Sequence, residues 1–306
     1  MSIRMPLSIQ TRQMLLGLQR TQDRLAQNTQ RISSGKRITN PGDDPAGSAL
    51  ILDLGTSIGA NTQFQSQAAS ALSFLQGTDT ALSAVTNDLT QLLQVGQQGL
   101  NGSTGANGRA ALAATVDGLR NNLLGLANTQ VQGKFIFAGT QTTNATNTPP
   151  FALTATGAAY TGDSNTINLN VSSTSQVGMN IPGDTVFFGS GGAGSSTDLF
   201  KAVTDLQTGL STNNSTLIQQ GYTNLQSILD NVTQAQTDIG GRESRLNDLQ
   251  SILSAQNVSL QSMQNTVQDT NYPEAITQFT SDQTIQNATL SALGKSNQPN
   301  LFNYLG

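Results

Sequence analysis

The sequence predicts an elongated, mainly α-helical α+β chain, a helical bundle whose long coiled-coil-like helices start from both termini and flank a small β-rich insert. Three observations carry this expectation. A three-four hydrophobic rhythm recurs in the first and last thirds of the 306 residues. Between Phe135 and Phe188 the texture changes to Thr, Asn and Gly with short alternating apolar runs. Only 36% of residues are hydrophobic, 5% aromatic and 10% charged, and there is no Trp, so Gln, Asn, Ser, Thr, Ala and Gly make up the rest. Such a composition fills narrow helical seams more readily than one thick core.

The first helix is the weakest. Met14, Leu18, Leu25 and Ile32 share a seam with Thr11, Thr21 and Asn28, too polar to hold an isolated helix, so this element is expected to order only against partners. Gly35 reads as its stop, followed by an extended basic stretch and a turn in which Asp43 and Asp44 serve as cap and turn residues for the next helix. That helix carries Phe64, Ala68, Ala71, Leu75, Thr78, Leu82, Val85, Leu89 and Leu92 at helical spacing. The Gly-rich segment 99–108 then turns the chain into a third helix with Leu112, Val116, Leu119, Leu123 and Leu126.

In the insert, FIFAG, TINLNVS and NIPGDTVFF are expected to supply strands, with Ile167, Leu169 and Val171 alternating. Segment 189–198 reads as a flexible return to helix with Ser196 or Thr197 as N-cap. The longest seam follows: Leu225, Ile228, Val232, Ala235, Ile239, Leu246, Leu249, Leu253, Leu260, Met263 and Val267, interrupted at Arg242 and Gln256. At 1.5 Å per residue that span is on the order of 60 Å. Asn271-Tyr272-Pro273 breaks it, and a last helix places Ile276, Phe279, Leu290 and Leu293 on a seam shared with Gln283 and Gln286. The expected division is therefore an innermost domain of 1–45 with 270–306, a helical rod of 46–133 with 195–269, and an outer β-rich domain of 134–194.

The residue inventory bears on chemistry. With no Cys and no His, thiol nucleophiles, thiolate metal sites and imidazole acid–base catalysis are excluded. Lys36, Lys134, Lys201 and Lys295 lie in loop or end contexts that suggest no Ser–Lys pair. No enzyme activity, cofactor or metal is expected. Gly189, Gly191 and Gly194 formally match a dinucleotide fingerprint, but no βαβ unit surrounds them and a linker is the better reading. Arg242, Glu243 and Arg245 read as seam or subunit-facing charges. Net charge is −4, yet residues 1–40 hold Arg4, Arg12, Arg20, Arg24, Arg31, Lys36 and Arg37 against a single acid, Asp23. Without interleaved aromatics these fit a solvated or subunit-facing helix surface, not a nucleic-acid or membrane contact. The opening MSIRMPLSIQTRQ lacks the apolar run of a cleavable signal.

Segment 18–50, and above all Ser33-Ser34-Gly35-Lys36-Arg37-Ile38 followed by Asn40-Pro41-Gly42-Asp43-Asp44-Pro45-Ala46-Gly47, closely resembles the N-terminal region of the flagellin family. Residues 126–139, 160–165, 180–187 and the closing 300–305 resemble the branch of that family seated between hook and filament. The resemblance implies a structural subunit of the bacterial flagellum, secreted to the hook–filament junction without a cleavable signal and acting by self-assembly and mechanical coupling. Filament flagellin is the alternative. It implies hook-associated protein 1 below, flagellin above, copies of the same chain in a ring, and a flagellar export chaperone that holds the chain before type III export. No nucleic acid or membrane is implied. Leu18, Leu25, Ile32, Ile276, Phe279, Leu290 and Leu293, with Leu301, Phe302 and Leu305, would be the subunit-interface residues.

Overall fold

The structure, a computed structural model, describes residues 7–143, 148–172 and 175–296. In chain order the elements are α1 (Leu7–Ser34), α2 (Pro45–Leu100), α3 (Ala106–Ala127), β1 (Gln130–Val131), β2 (Lys134–Phe135), β3 (Phe151–Thr154), β4 (Gly157–Tyr160), β5 (Asn168–Asn170), β6 (Gln176–Gly178), α4 (Leu199–Ser211), α5 (Ser215–Gln268) and α6 (Tyr272–Ser296). The mainly α class with a small β insert is as expected. None of the described helices is long and apolar enough to cross a membrane.

The chain forms two compact units, one of residues 1–60 with 257–306 and one of 61–256. The second unit holds the dry core. Ala68, Ala71, Leu75, Leu82, Val85, Leu89 and Leu92 of α2 are buried, as are Val116 and Leu123 of α3 and Leu225, Ile228, Val232, Ile239 and Leu246 of α5. These are the residues the three-four rhythm selects, because side chains three and four apart lie on one helix face. The α5 seam ends sooner than its sequence pattern. Leu253 is buried, but Met263 is 54% exposed.

Polar pairs fix the register of the bundle. Asn122 Nδ2 donates to Asp88 Oδ2 at 2.8 Å between α3 and α2. Gln236 on α5 donates to Ser83 Oγ at 3.0 Å and accepts from Thr86 Oγ1 at 3.1 Å. Between α4 and α5 two glycines permit close approach. A Cβ on Gly209 would meet the Ile218 nitrogen at 2.7 Å, and one on Gly221 would meet Leu206 Cβ at 3.0 Å.

The insert consists of three antiparallel two-stranded ladders, β1–β2, β3–β4 and β5–β6. Aromatic side chains knit it together: Phe137 and Phe151 meet Phe187 edge-on at 5.0 and 5.2 Å, and Phe151 stacks on Tyr160 at 4.7 Å. Phe200 of α4 joins the same cluster. Asn180, fully buried, acts as a polar hub. Its Oδ1 accepts from Ile167 N at 2.7 Å and its Nδ2 donates to Gly139 O at 3.0 Å.

Three local expectations need correction. NIPGDTVFF is not a strand, since Asp184–Phe188 make a π-helical turn. Strand alternation would send one of Val186, Phe187 and Phe188 to solvent, whereas all three are buried. Gly183, whose N–H donates to Phe137 O at 3.0 Å, lets the chain turn close against Phe137. The FIFAG run contributes only Phe135 to a ladder, while the unforeseen hairpin β3–β4 closes through Ala155-Thr156. The N-cap of α4 is Asp198, not Ser196 or Thr197: its carboxylate accepts from Lys201 N at 3.1 Å and Gly194 N at 2.7 Å. Burial pushes that carboxyl above the ordinary range.

Three substitutions check this account. Leu82→Ala should lower stability by about 3 kcal/mol through an unfilled cavity. Leu52→Ala, at a side chain 73% exposed, should change it by less than about 0.5 kcal/mol. Asn180→Ala should cost about 2 kcal/mol, because the Ile167 N–H and Gly139 C=O lose their partner inside the insert. Thermal and urea unfolding of the purified chain measures all three.

Candidate assembly surface in the terminal unit

Unit 1 is built on a different principle from unit 2. Its α1 and α6 run antiparallel, and the fully covered positions along them are mostly polar: Thr21, Asn28 and Asp282, with Ala275. Asn28 Nδ2 donates to Asp282 Oδ2 at 3.1 Å, and Arg24 Nε lies 3.3 Å from Asp282 Oδ1. Thr21 Oγ1 turns back on Gly17 O at 3.0 Å. The polar seam anticipated from Thr21 and Asn28 is thus the surface α1 turns to its own partner helix.

The apolar side chains expected to be interface residues divide in two. Leu18, Leu25, Ile32, Phe279 and Leu293 are half-buried, while Ile276 and Leu290 are exposed, each at 49%. Leu301, Phe302 and Leu305 lie outside the described residues. The structure adds Ile9, Leu15 and Leu16 on α1, Leu50 and Leu52 on α2, Val258 and Met263 on α5, and Tyr272 and Ile285 on α6, all exposed. Among the described residues, every large apolar side chain in this exposed class except Ile252 belongs to unit 1. The sequence signal for Leu15 and Leu16 was the run Met14-Leu15-Leu16, which wraps apolar character around the helix instead of confining it to one stripe.

The motif 33–47 forms a compact connector. Ser33 is exposed at the end of α1, and Gly35 at φ 71° ends the helix by donating its N–H to Arg31 O at 2.9 Å. Ser34 Oγ accepts from Lys36 N at 3.2 Å. The backbone of the basic stretch pairs with the end of α5: Lys36 and Asp269 form an isolated antiparallel β-bridge, Arg37 N donates to Gln268 O at 2.7 Å, and Thr270 N donates to Gly35 O at 2.9 Å. The Arg37 guanidinium reaches Val267 O at 3.0 Å and Asp44 Oδ2 at 3.3 Å. Ile38 is buried, and Asn40-Pro41 leads into the turn.

Asp43 closes that turn by accepting from Thr39 N at 3.0 Å and Asn40 N at 2.9 Å. Asp44 caps α2 through Gly47 N at 2.9 Å, with Pro45 and Ala46 in the first turn. These N–H donors hold both carboxyls below the ordinary carboxylate range. Gly47 has no room for a side chain: its Cβ would sit 2.5 Å from Ile38 Cδ1. The carboxylates therefore cap and turn the chain, as expected.

Arg242 and Arg245 meet the chain's own insert. Arg242 Nη1 donates to Gly178 O at 3.2 Å and Asn180 O at 3.1 Å, and Arg245 donates to Ser175 Oγ at 3.1 Å. They tie the insert to α5. Among the described residues no group of three or more acidic side chains converges to hold a metal ion. What unit 1 offers is a surface of exposed apolar side chains.

Comparison with known proteins gives the family. The bacterial flagellin N-terminal helical region matches residues 8–142, and the bacterial flagellin C-terminal helical region matches 222–305. Flagellar hook-associated protein 3 of Escherichia coli K12 is 24% identical over 309 residues, spanning 95% of this chain and 96% of that protein. Its counterpart from Salmonella typhimurium LT2 is 28% identical over 246 residues, spanning 73% of this chain and 74% of that one. The crystal structure of the flagellar junction protein FlgL from Legionella pneumophila shares the fold, with a TM-score of 0.57 at 19% identity over 73% of this chain and all of that one. The chain belongs to the flagellin family, a structural component of the bacterial flagellum, and is similar over most of its length to hook-associated protein 3.

Proposed function

We propose that the chain is the subunit that joins the flagellar hook to the filament. The observation that carries this is the concentration of exposed apolar side chains in unit 1, whose fully covered α1 and α6 positions are mostly polar. A surface of this kind is completed by association, since isolated apolar side chains gain free energy only when a neighbour covers them. Both curated relatives carry the name of a hook-associated protein, and the Legionella structure that of a junction protein.

In this reading copies of the chain form a ring, with Leu18, Leu25, Ile32, Ile276, Phe279, Leu290 and Leu293, and beyond the described residues Leu301, Phe302 and Leu305, at subunit contacts. Hook-associated protein 1 lies below and flagellin above. Residues 1–45 with 270–306 form the innermost layer, 46–133 with 195–269 the rod, and 134–194 the outer layer. An export chaperone holds the chain before type III secretion, and a terminal unit with little apolar core suits a chain that must be threaded unfolded.

Deleting the gene should leave bare hooks by electron microscopy, with flagellin accumulating as monomer in the medium. Hooks without filament and no flagellin in the medium would make the chain the filament flagellin instead. Leu16→Ser combined with Ile276→Ser should leave the melting temperature of the purified chain within about 2 °C of wild type, because both side chains are exposed. The same variant should reduce filament-bearing cells at least about tenfold in a complementation assay, the loss expected if each buried side chain supplies on the order of 1.5 kcal/mol to assembly.

A further inference from the structure

We infer that residues 238–246 of α5 form a yielding turn, a built-in compliant point of the long helix at the place where the β insert is attached. The inference rests on three features that meet within unit 2. Gly240 and Gly241 sit side by side in the interior of a 54-residue helix. A Cβ built at either meets nothing within 4 Å, so no close packing requires glycine there. Each glycine nevertheless lowers local helix population on the order of fivefold relative to alanine. Helices bend at such pairs.

The second feature is an unpaired charge one turn on. Glu243 Oε1 is buried and has no hydrogen-bond partner among the described residues. Burial, and then repulsion from Asp79 on α2, raises its carboxyl above the ordinary range. The neighbouring cations do not neutralise it. Arg242 is engaged with Asp238 at 2.7 Å and with the carbonyls of Gly178 and Asn180, and Arg245 with Ser175. The insert segment facing them, residues 175–180, contains no titratable side chain.

The third feature is attachment. Through Arg242 and Arg245 the segment around β6 hangs on the two turns that the glycines and Glu243 weaken, while Ile239 and Leu246 anchor those turns in the core. A load on the insert reaches α5 where its backbone opens most readily. The core contacts on either side stay closed.

The sign of the pH response follows. A carboxyl raised by folding destabilises its surroundings while ionised, and that destabilisation is relieved as pH falls through the raised value toward the unfolded one. Residues 238–246 should therefore tighten on acidification from neutrality.

Amide hydrogen exchange of the full-length monomer, corrected for intrinsic rates, tests this without reference to assembly. At pH 7 protection over 238–246 should be at least about tenfold lower than over 225–235 of the same helix, and should rise as pH is lowered to about 5. Gly240→Ala with Gly241→Ala should raise protection at both pH values, and Glu243→Gln should raise it at pH 7 and abolish the pH dependence. Uniform protection along 225–246 in the wild type, or no response to either variant, would overturn the yielding turn. Because the readout is the isolated monomer, either result leaves the junction reading to be judged by the deletion experiment.

Discussion

The pairing of Asn28 and Arg24 with Asp282 is the contact on which the character of the terminal unit depends. A helix pair can bury apolar side chains between its members or display them outward, and it has only so many to distribute. In α1 and α6 the fully covered positions are mostly Thr21, Asn28 and Asp282, Leu18, Leu25, Ile32, Phe279 and Leu293 are only half-buried, and Leu15, Leu16, Ile276 and Leu290 are exposed. Hydrogen bonds within such a seam are worth about 1 kcal/mol net each, and they specify register more than they stabilise. The apolar surface left over is what a partner can bind.

Unit 2 follows the opposite rule. Its helices bury a continuous apolar face and place polar pairs such as Asn122–Asp88 at the edge, where they fix alignment without hollowing the core. The contrast assigns the two units different duties. A part that must keep its shape carries its own core, whereas a part completed by neighbours is left short of one.

How much of this was legible in the sequence follows from where periodicity has meaning. Leu75, Leu82, Leu89 and Leu92 could be assigned to a core because a two-sided environment forces the three-four pattern on a helix. The same reasoning gave the stop at Gly35 and the cap at Asp44, since both depend on nearest neighbours alone. It failed at Phe187 and Phe188, where an aromatic cluster assembled from distant segments overrides the local pattern, and at Asp198, where a buried carboxylate outcompetes two hydroxyl residues for the cap. In the terminal unit the seam residues were readable, and of the exposed apolar residues Ile276 and Leu290 were, whereas Leu15 and Leu16 fall off the three-four seam and periodicity passed them over.

The arginines of α5 show the same limit from the other side. In the sequence Arg242 interrupts an apolar seam and Arg245 lies beside it, which suggests seam or subunit-facing charges. In the fold the partner is the chain's own insert, and the guanidinium of Arg242 bridges two carbonyls that β6 and its flank leave unpaired. A charged residue that breaks a seam is thus a marker that something polar must be met there, and only the folded chain shows whether it is met within the molecule. For Arg242 and Arg245 it is met internally, so the break they make in the pattern of α5 is explained by the attachment of the insert.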